Sequence, residues 1–118
     1  MTLASARARQ FARRGLRLYP PVGRTVIFPH PIEQLLDYGS VAAVLLDPSA
    51  NIRNVYGVDR RGRTVWQLRK SPFNSSDRND PYVELSKQGR SLRVSSFRGQ
   101  VYDVDPRTGR ILGSGWTR

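Results

Sequence analysis

Few residues in this 118-residue chain have the side-chain types that carry reaction chemistry. There are no cysteines and one histidine, His30. Disulfides, thiolate metal sites and His-rich metal clusters are thereby excluded. His30 stands between Pro29 and Pro31, and no nucleophile-elbow pattern supplies a serine for it. Glu33 and Asp37 lie four apart. In an extended segment they share a face as ordinary polar positions, and nothing marks them as a general acid–base pair. Asp103, Asp105 and Thr108 resemble part of a calcium loop. A core-type residue, Val104, separates the two acids, however, and no closing glutamate follows. No glycine-rich phosphate loop, zinc pattern or dinucleotide fingerprint occurs. The expectation is a non-enzyme with no catalytic residue, no metal ligand and no cofactor.

What the chain has in quantity is arginine. Its formal net charge is +11, and its isoelectric point is near 11.4. Arg7, Arg9, Arg13, Arg14, Arg17 and Arg24 fall in the first 24 residues, where there is no acid. Two turn-like segments add Arg60, Arg61 and Arg63, then Arg107 and Arg110. A field of this sign favours acidic partners. The candidate contacts are Arg7, Arg9, Arg13, Arg14, Arg17, Arg60, Arg61, Arg63, Arg107 and Arg110. The leading expectation is a non-enzymatic module that binds an acidic protein partner through a basic face or a sheet edge. An immunity-type role, masking an acidic toxin, is one concrete form of it. The alternative is nucleic acid, whose phosphates such arginines would contact without regard to sequence.

The elements that must position these residues are strands. Mean hydropathy is −0.51. The longest apolar run, Val41–Leu46, is far short of the ~18–20 residues of a membrane-spanning helix. The lack of cysteine suits a reducing, cytoplasmic setting. Residues 1–23 read as a basic N-terminal arm or short helix, because Ala and Arg favour helix and Ala4, Ala8, Phe11 and Ala12 could share one helical face. Tyr19-Pro20-Pro21 ends it. Beyond it the pattern predicts strands near 24–28, 32–37, 40–46, 53–59, 63–69, 82–86, 90–97, 100–105 and 109–113. Val41–Leu46 is apolar on both faces, which predicts a doubly covered strand. Trp66, Tyr56, Val58, Val44, Leu46, Leu92, Val94, Tyr102, Val104 and Ile111 are the predicted core. Removing residues 1–19 is expected to leave that core intact.

The strands form two similar series. Pro31, Leu35 and Gly39 align with Pro81, Leu85 and Gly89. Val55-Tyr56-Gly57-Val58-Asp59 aligns with Val101-Tyr102-Asp103-Val104-Asp105, and Gly62-Arg63 with Gly109-Arg110. This predicts two four-stranded meander repeats, near 31–69 and 81–116, joined by a loop at 70–80. The expected fold is mainly β and antiparallel: a single domain over 24–118, with the repeats packed as a small sandwich or barrel-like unit. Hairpin bends are expected at Gly62 and Gly109, where glycine accepts a positive φ. Sheet edges left open would allow self-association.

The run Val101-Tyr102-Asp103-Val104-Asp105 with Thr108-Gly109-Arg110-Ile111-Leu112 resembles blade repeats of quinoprotein-type β-propellers. Over residues 24–118 the chain resembles a family of small bacterial proteins. The resemblance rests on Phe28-Pro29-His30-Pro31-Ile32, Leu45-Leu46-Asp47-Pro48, Asn54-Val55-Tyr56-Gly57-Val58-Asp59, Val65-Trp66-Gln67-Leu68, Gly99 to Asp105, and Trp116-Thr117-Arg118. Relatives usually have Asn-Trp before the Gly99 position, where this chain has Ser96-Phe97-Arg98. The resemblance implies a β-rich fold and no particular activity.

Overall fold

The computed structural model describes residues 10–49, 53–69 and 80–116. Arg7, Arg9, Ala4, Ala8 and most of the 70–80 loop lie outside the described residues. The described residues form eleven strands and no helix: β1 (Ala12–Arg14), β2 (Arg17–Tyr19), β3 (Val26–Ile27), β4 (Ile32–Asp37), β5 (Val41–Leu46), β6 (Val55–Asp59), β7 (Thr64–Gln67), β8 (Tyr82–Gln88), β9 (Ser91–Ser96), β10 (Gln100–Val104) and β11 (Ile111–Trp116). They make a three-stranded sheet β1-β2-β3, a meander β4-β5-β6-β7 and a second meander β8-β9-β10-β11, all antiparallel.

The two meanders are built alike. Ala42 pairs with Val58 and Val44 with Tyr56 in the first; Leu92 pairs with Val104 and Val94 with Tyr102 in the second. Each first strand carries a bulge at the same place, Ile32/Gln34 and Tyr82/Glu84. The third strands break register at Gly57/Val58 and Asp103/Val104. Both predicted bends are present, with φ of +87° at Gly62 and +74° at Gly109.

The sheets stack in three layers, with the first meander in the middle. Ala42, Val44, Leu46 and Val58 on its rear face pack against Phe11, Leu18 and Phe28 from the three-stranded sheet and its exit. Ala43, Leu45, Val55, Trp66 and Leu68 on its forward face pack against Leu92, Val94, Tyr102 and Val104 of the second meander. Every residue of Val41–Leu46 is therefore buried, as a doubly covered strand requires. Equivalent residues of the two meanders, such as Val44 with Val94 and Val58 with Val104, both look rearward. The packing is thus head to tail, not face to face. Of the predicted core, Tyr56 and Ile111 are only half-buried and the rest are buried.

Two side-chain amides fasten the meanders together. The Gln34 amide donates to the Leu85 carbonyl (3.2 Å) and accepts from the Leu85 N–H (2.7 Å). Asn54 is fully buried, and its amide exchanges two bonds with the Tyr82 backbone (2.8 and 3.1 Å). Each amide thus stands in for a stretch of strand pairing.

The predicted N-terminal arm or helix is corrected by the structure over residues 10–23. Gly15 (φ +59°) turns the chain between β1 and β2. Phe11 and Leu18 enter the core, Leu18 with no exposed surface. Helix propensity differs by only tenths of a kcal/mol per residue. Burying one Phe or Leu contributes ~1.5–3 kcal/mol. The apolar rear face of the first meander offers that burial, and it outweighs local preference. The premise that residues 1–19 contribute little to the core is overturned by Phe11 and Leu18.

Candidate interaction face

Four meander turns project from one end of the stack: those at 38–40, 60–63, 89–90 and 105–110. The 20–25 connection between β2 and β3 joins them there, because the Val22 N–H donates to the Arg60 carbonyl (3.0 Å). This turn end carries Arg24, Arg60, Arg61, Arg63, Lys87, Arg90, Arg107 and Arg110 against three carboxylates, Asp37, Asp59 and Asp105.

Each of those carboxylates is engaged by backbone. Asp37 Oδ1 accepts from the Gly39 N–H (2.7 Å). Asp59 Oδ1 accepts from Arg61 and Arg63 N–H groups, both at 2.9 Å. Asp105 Oδ1 accepts from the Arg107 N–H (2.9 Å). These are Asx turns, in which a short carboxylate closes its own bend. The Arg63 backbone N–H bond holds the Asp59 carboxyl below its ordinary value, and an ion pair with the Arg63 side chain at 3.4 Å adds to the effect. The acids serve the turns, and most of the cations remain to face solvent.

A cleft of about 660 Å³ opens between the turns of the two meanders. Tyr38, Lys87, Arg90, Pro106, Arg107 and Leu112 line it, with Asp37 and Asp105. Lys87 Nζ donates to the Asp37 carbonyl (2.7 Å) and sits 4.9 Å from the Tyr38 ring centroid. Burial raises the Tyr38 hydroxyl pKa, so the phenol is neutral at physiological pH.

The predicted contact residues do not form one surface. Arg60, Arg61, Arg63, Arg107 and Arg110 share the turn end. Arg14 and Arg17 flank the β1–β2 turn, which hydrogen bonds from the Ile32 N–H to the Gly15 carbonyl and from the Phe28 N–H to the Leu16 carbonyl fix at the opposite end. There they border a shallow hollow of about 280 Å³ with Leu16 and Tyr19. Arg13 is a structural residue, since its guanidinium donates to the Ile32 and Glu33 carbonyls (2.6 and 3.2 Å). Tyr38, Lys87 and Arg90 were not singled out from sequence. The repeat alignment already places Lys87 opposite Asp37, the residue whose carbonyl it binds. The Asp103–Asp105 segment has structural roles: Asp103 pairs with Arg93 at 3.4 Å, and Asp105 caps its turn.

A family model matches residues 22–116, four-fifths of the chain. The chain belongs to the family described as Domain of unknown function (DUF7957). The DUF7957 match covers both meanders and begins after Phe11 and Leu18, so β1 and β2 lie before it. No curated protein matches the chain. Among solved structures it is similar to BamB from Moraxella catarrhalis, with a TM-score of 0.58 at 16% identity, over 87% of this chain and 31% of that one. The chain therefore spans about a third of the length of that β-propeller. At this identity the likeness is one of fold. It fits the head-to-tail stacking of four-stranded sheets, which is how propeller blades pack.

Proposed function

We propose that this DUF7957 protein is a non-enzymatic interaction module whose turn end docks an acidic surface of a protein partner. The observation that carries the reading is the division of labour at that end. Eight cations stand there, and the three carboxylates among them are held by turn N–H groups. Turns displayed on a rigid scaffold are a common place for binding residues. Masking of an acidic toxin, as an immunity protein does, is one form this takes.

Nucleic acid is the weaker reading. Stacking of single strands needs open aromatic rings beside arginines. At the turn end the ring of Tyr38 already carries Lys87. Phe97, 73% exposed, stands on the β9–β10 turn at the other end.

The test is capture from nuclease-treated lysate by the wild-type protein, by an Arg60→Glu/Arg61→Glu/Arg63→Glu variant, and by an Arg14→Glu/Arg17→Glu control. Defined proteins retained by wild type and control but lost from the turn variant support the proposal. Retention by the turn variant, or release of everything by nuclease, overturns it.

A further inference from the structure

The cleft between the meander turns has chemistry of its own. Lys87, Arg90 and Arg107 converge on it, and among the described residues no carboxylate lies within ion-pair distance of any of them. Lys87 is already positioned, held between the Asp37 carbonyl and the Tyr38 ring. A cation fixed in place loses less freedom on binding than one free in solvent. Tyr38, Pro106 and Leu112 give the cleft an apolar component, and Leu112 is 58% exposed. Its volume lies within the ~300–1,000 Å³ of ordinary ligand sites.

The form of the anion follows from what the turns do not offer. A phosphate is held by several backbone N–H groups forming a nest. Here the N–H groups of the 38–40 and 105–110 turns are spent within the chain: Gly39 on Asp37, Arg107 on the Asp105 side chain, and Thr108 and Gly109 on the Asp105 carbonyl. The cleft presents three side-chain cations beside Tyr38, Pro106 and Leu112, and its two carboxylates, Asp37 and Asp105, each accept a turn N–H. That arrangement suits separated carboxylates on a chain that also carries an apolar side chain.

We propose that this cleft receives an extended acidic peptide segment. Its carboxylates would meet Lys87, Arg90 and Arg107, and one apolar side chain would rest on Tyr38 and Leu112. This rests on the reading of the turn end as a protein-docking face and names the part of the partner that enters it.

The experiment is fluorescence anisotropy at low salt with a labelled ten-residue peptide of alternating Asp and Glu containing one central Leu. The companion probes are the same peptide with Asn and Gln replacing the acids, and inorganic polyphosphate as competitor. The expected result is binding of the acidic peptide, none of its amide version, and competition by polyphosphate only through ionic strength. Lys87→Ala/Arg107→Ala should weaken binding by about tenfold, a loss of ~1.4 kcal/mol. Both side chains are exposed, so the variant should keep the wild-type circular dichroism spectrum. Arg61→Ala/Arg63→Ala, outside the cleft, should change affinity much less.

If the cleft variant binds like wild type while the Arg61/Arg63 variant loses affinity, the cleft proposal fails and the turn-end reading stands. If polyphosphate displaces the peptide at equal ionic strength and binds more tightly, the cleft is a phosphate site and the proposal is overturned. If the acidic peptide does not bind at low salt while the lysate capture still depends on the turn arginines, the cleft proposal alone is overturned. If both fail, the docking reading falls as well.

Discussion

Replacing Trp66 tests how the two meanders are locked. Its indole is 8% exposed and lies between two glycines from different sheets. A Cβ on Gly57 would fall 2.1 Å from the ring, and one on Gly109 2.7 Å from it. Across the same interface, Nε1 donates to the Pro106 carbonyl at 2.8 Å. Trp66→Ala should cost ~3–5 kcal/mol, the usual loss for a buried Trp. That is a large share of the ~5–15 kcal/mol that holds a domain together. Trp66→Phe keeps most of the apolar contact but strips the Pro106 carbonyl of its donor, at about 1–3 kcal/mol. Gly57 has no positive φ, so Gly57→Ala tests packing alone. It should cost ~1–3 kcal/mol by overpacking beside tryptophan, and little or nothing beside alanine, where the ring has gone. Urea unfolding followed by far-ultraviolet circular dichroism gives all four corners of this double-mutant cycle. A Trp66→Ala loss below about 1 kcal/mol, or an equal Gly57→Ala cost in both backgrounds, refutes the proposed lock.

Three further outcomes follow from the same packing. Deleting residues 1–19 removes Phe11 and Leu18 and should lower stability by about 3–6 kcal/mol, at ~1.5–3 kcal/mol per buried side chain; an unchanged urea midpoint contradicts this. Arg93→Leu/Asp103→Leu makes the outer face of the second meander apolar and should drive self-association, read by sedimentation velocity; a strictly monomeric variant counts against the polar-face account. Asp59 has a depressed folded-state pKa, so its contribution is present above the ordinary carboxylate range near pH ~4 and is lost as pH falls through the folded value. The melting temperature of Asp59→Asn should therefore depend less steeply on pH in that acid window than that of wild type, and equal slopes remove the assignment.

The strands from β3 to β11 were legible because their signals are local. Alternating residues such as Tyr102 and Val104, bounded by Asp-Pro and Gly bends, define a strand wherever it packs. Val41–Leu46 even disclosed its two-sided burial. Residues 10–19 were misread because their decisive partner is distant. Two apolar residues, Phe11 and Leu18, are too few to set a period, and only the rear face of β5 and β6 makes them core. The site was legible in the same uneven way. Arg60, Arg61, Arg63, Arg107 and Arg110 announce themselves as basic turns. That Lys87 would lie on Tyr38, and that Arg13 would be spent on the β4 carbonyls, depends on which turns the stacking brings together.

Head-to-tail stacking also supports the proposal that docking uses the turn end and not the open sheet face. The forward face of the first meander holds Ala43, Leu45, Val55, Gly57 and Trp66, and a whole sheet packs on it. At the equivalent places the second meander has Arg93, Ser95, Val101, Asp103 and Gly113. The Arg93–Asp103 pair at 3.4 Å occupies the position of the Ala43–Gly57 pair. An apolar contact surface has become a solvated one, as on the outer face of a capping repeat. A further sheet packed there in the same manner would have to desolvate that ion pair for little apolar gain, which is unfavourable. The second meander thus turns water-compatible residues outward. The turns, tied together by the Trp66 bond to the Pro106 carbonyl and the Lys87 bond to the Asp37 carbonyl, are left as the charged surface that the proposed docking would use.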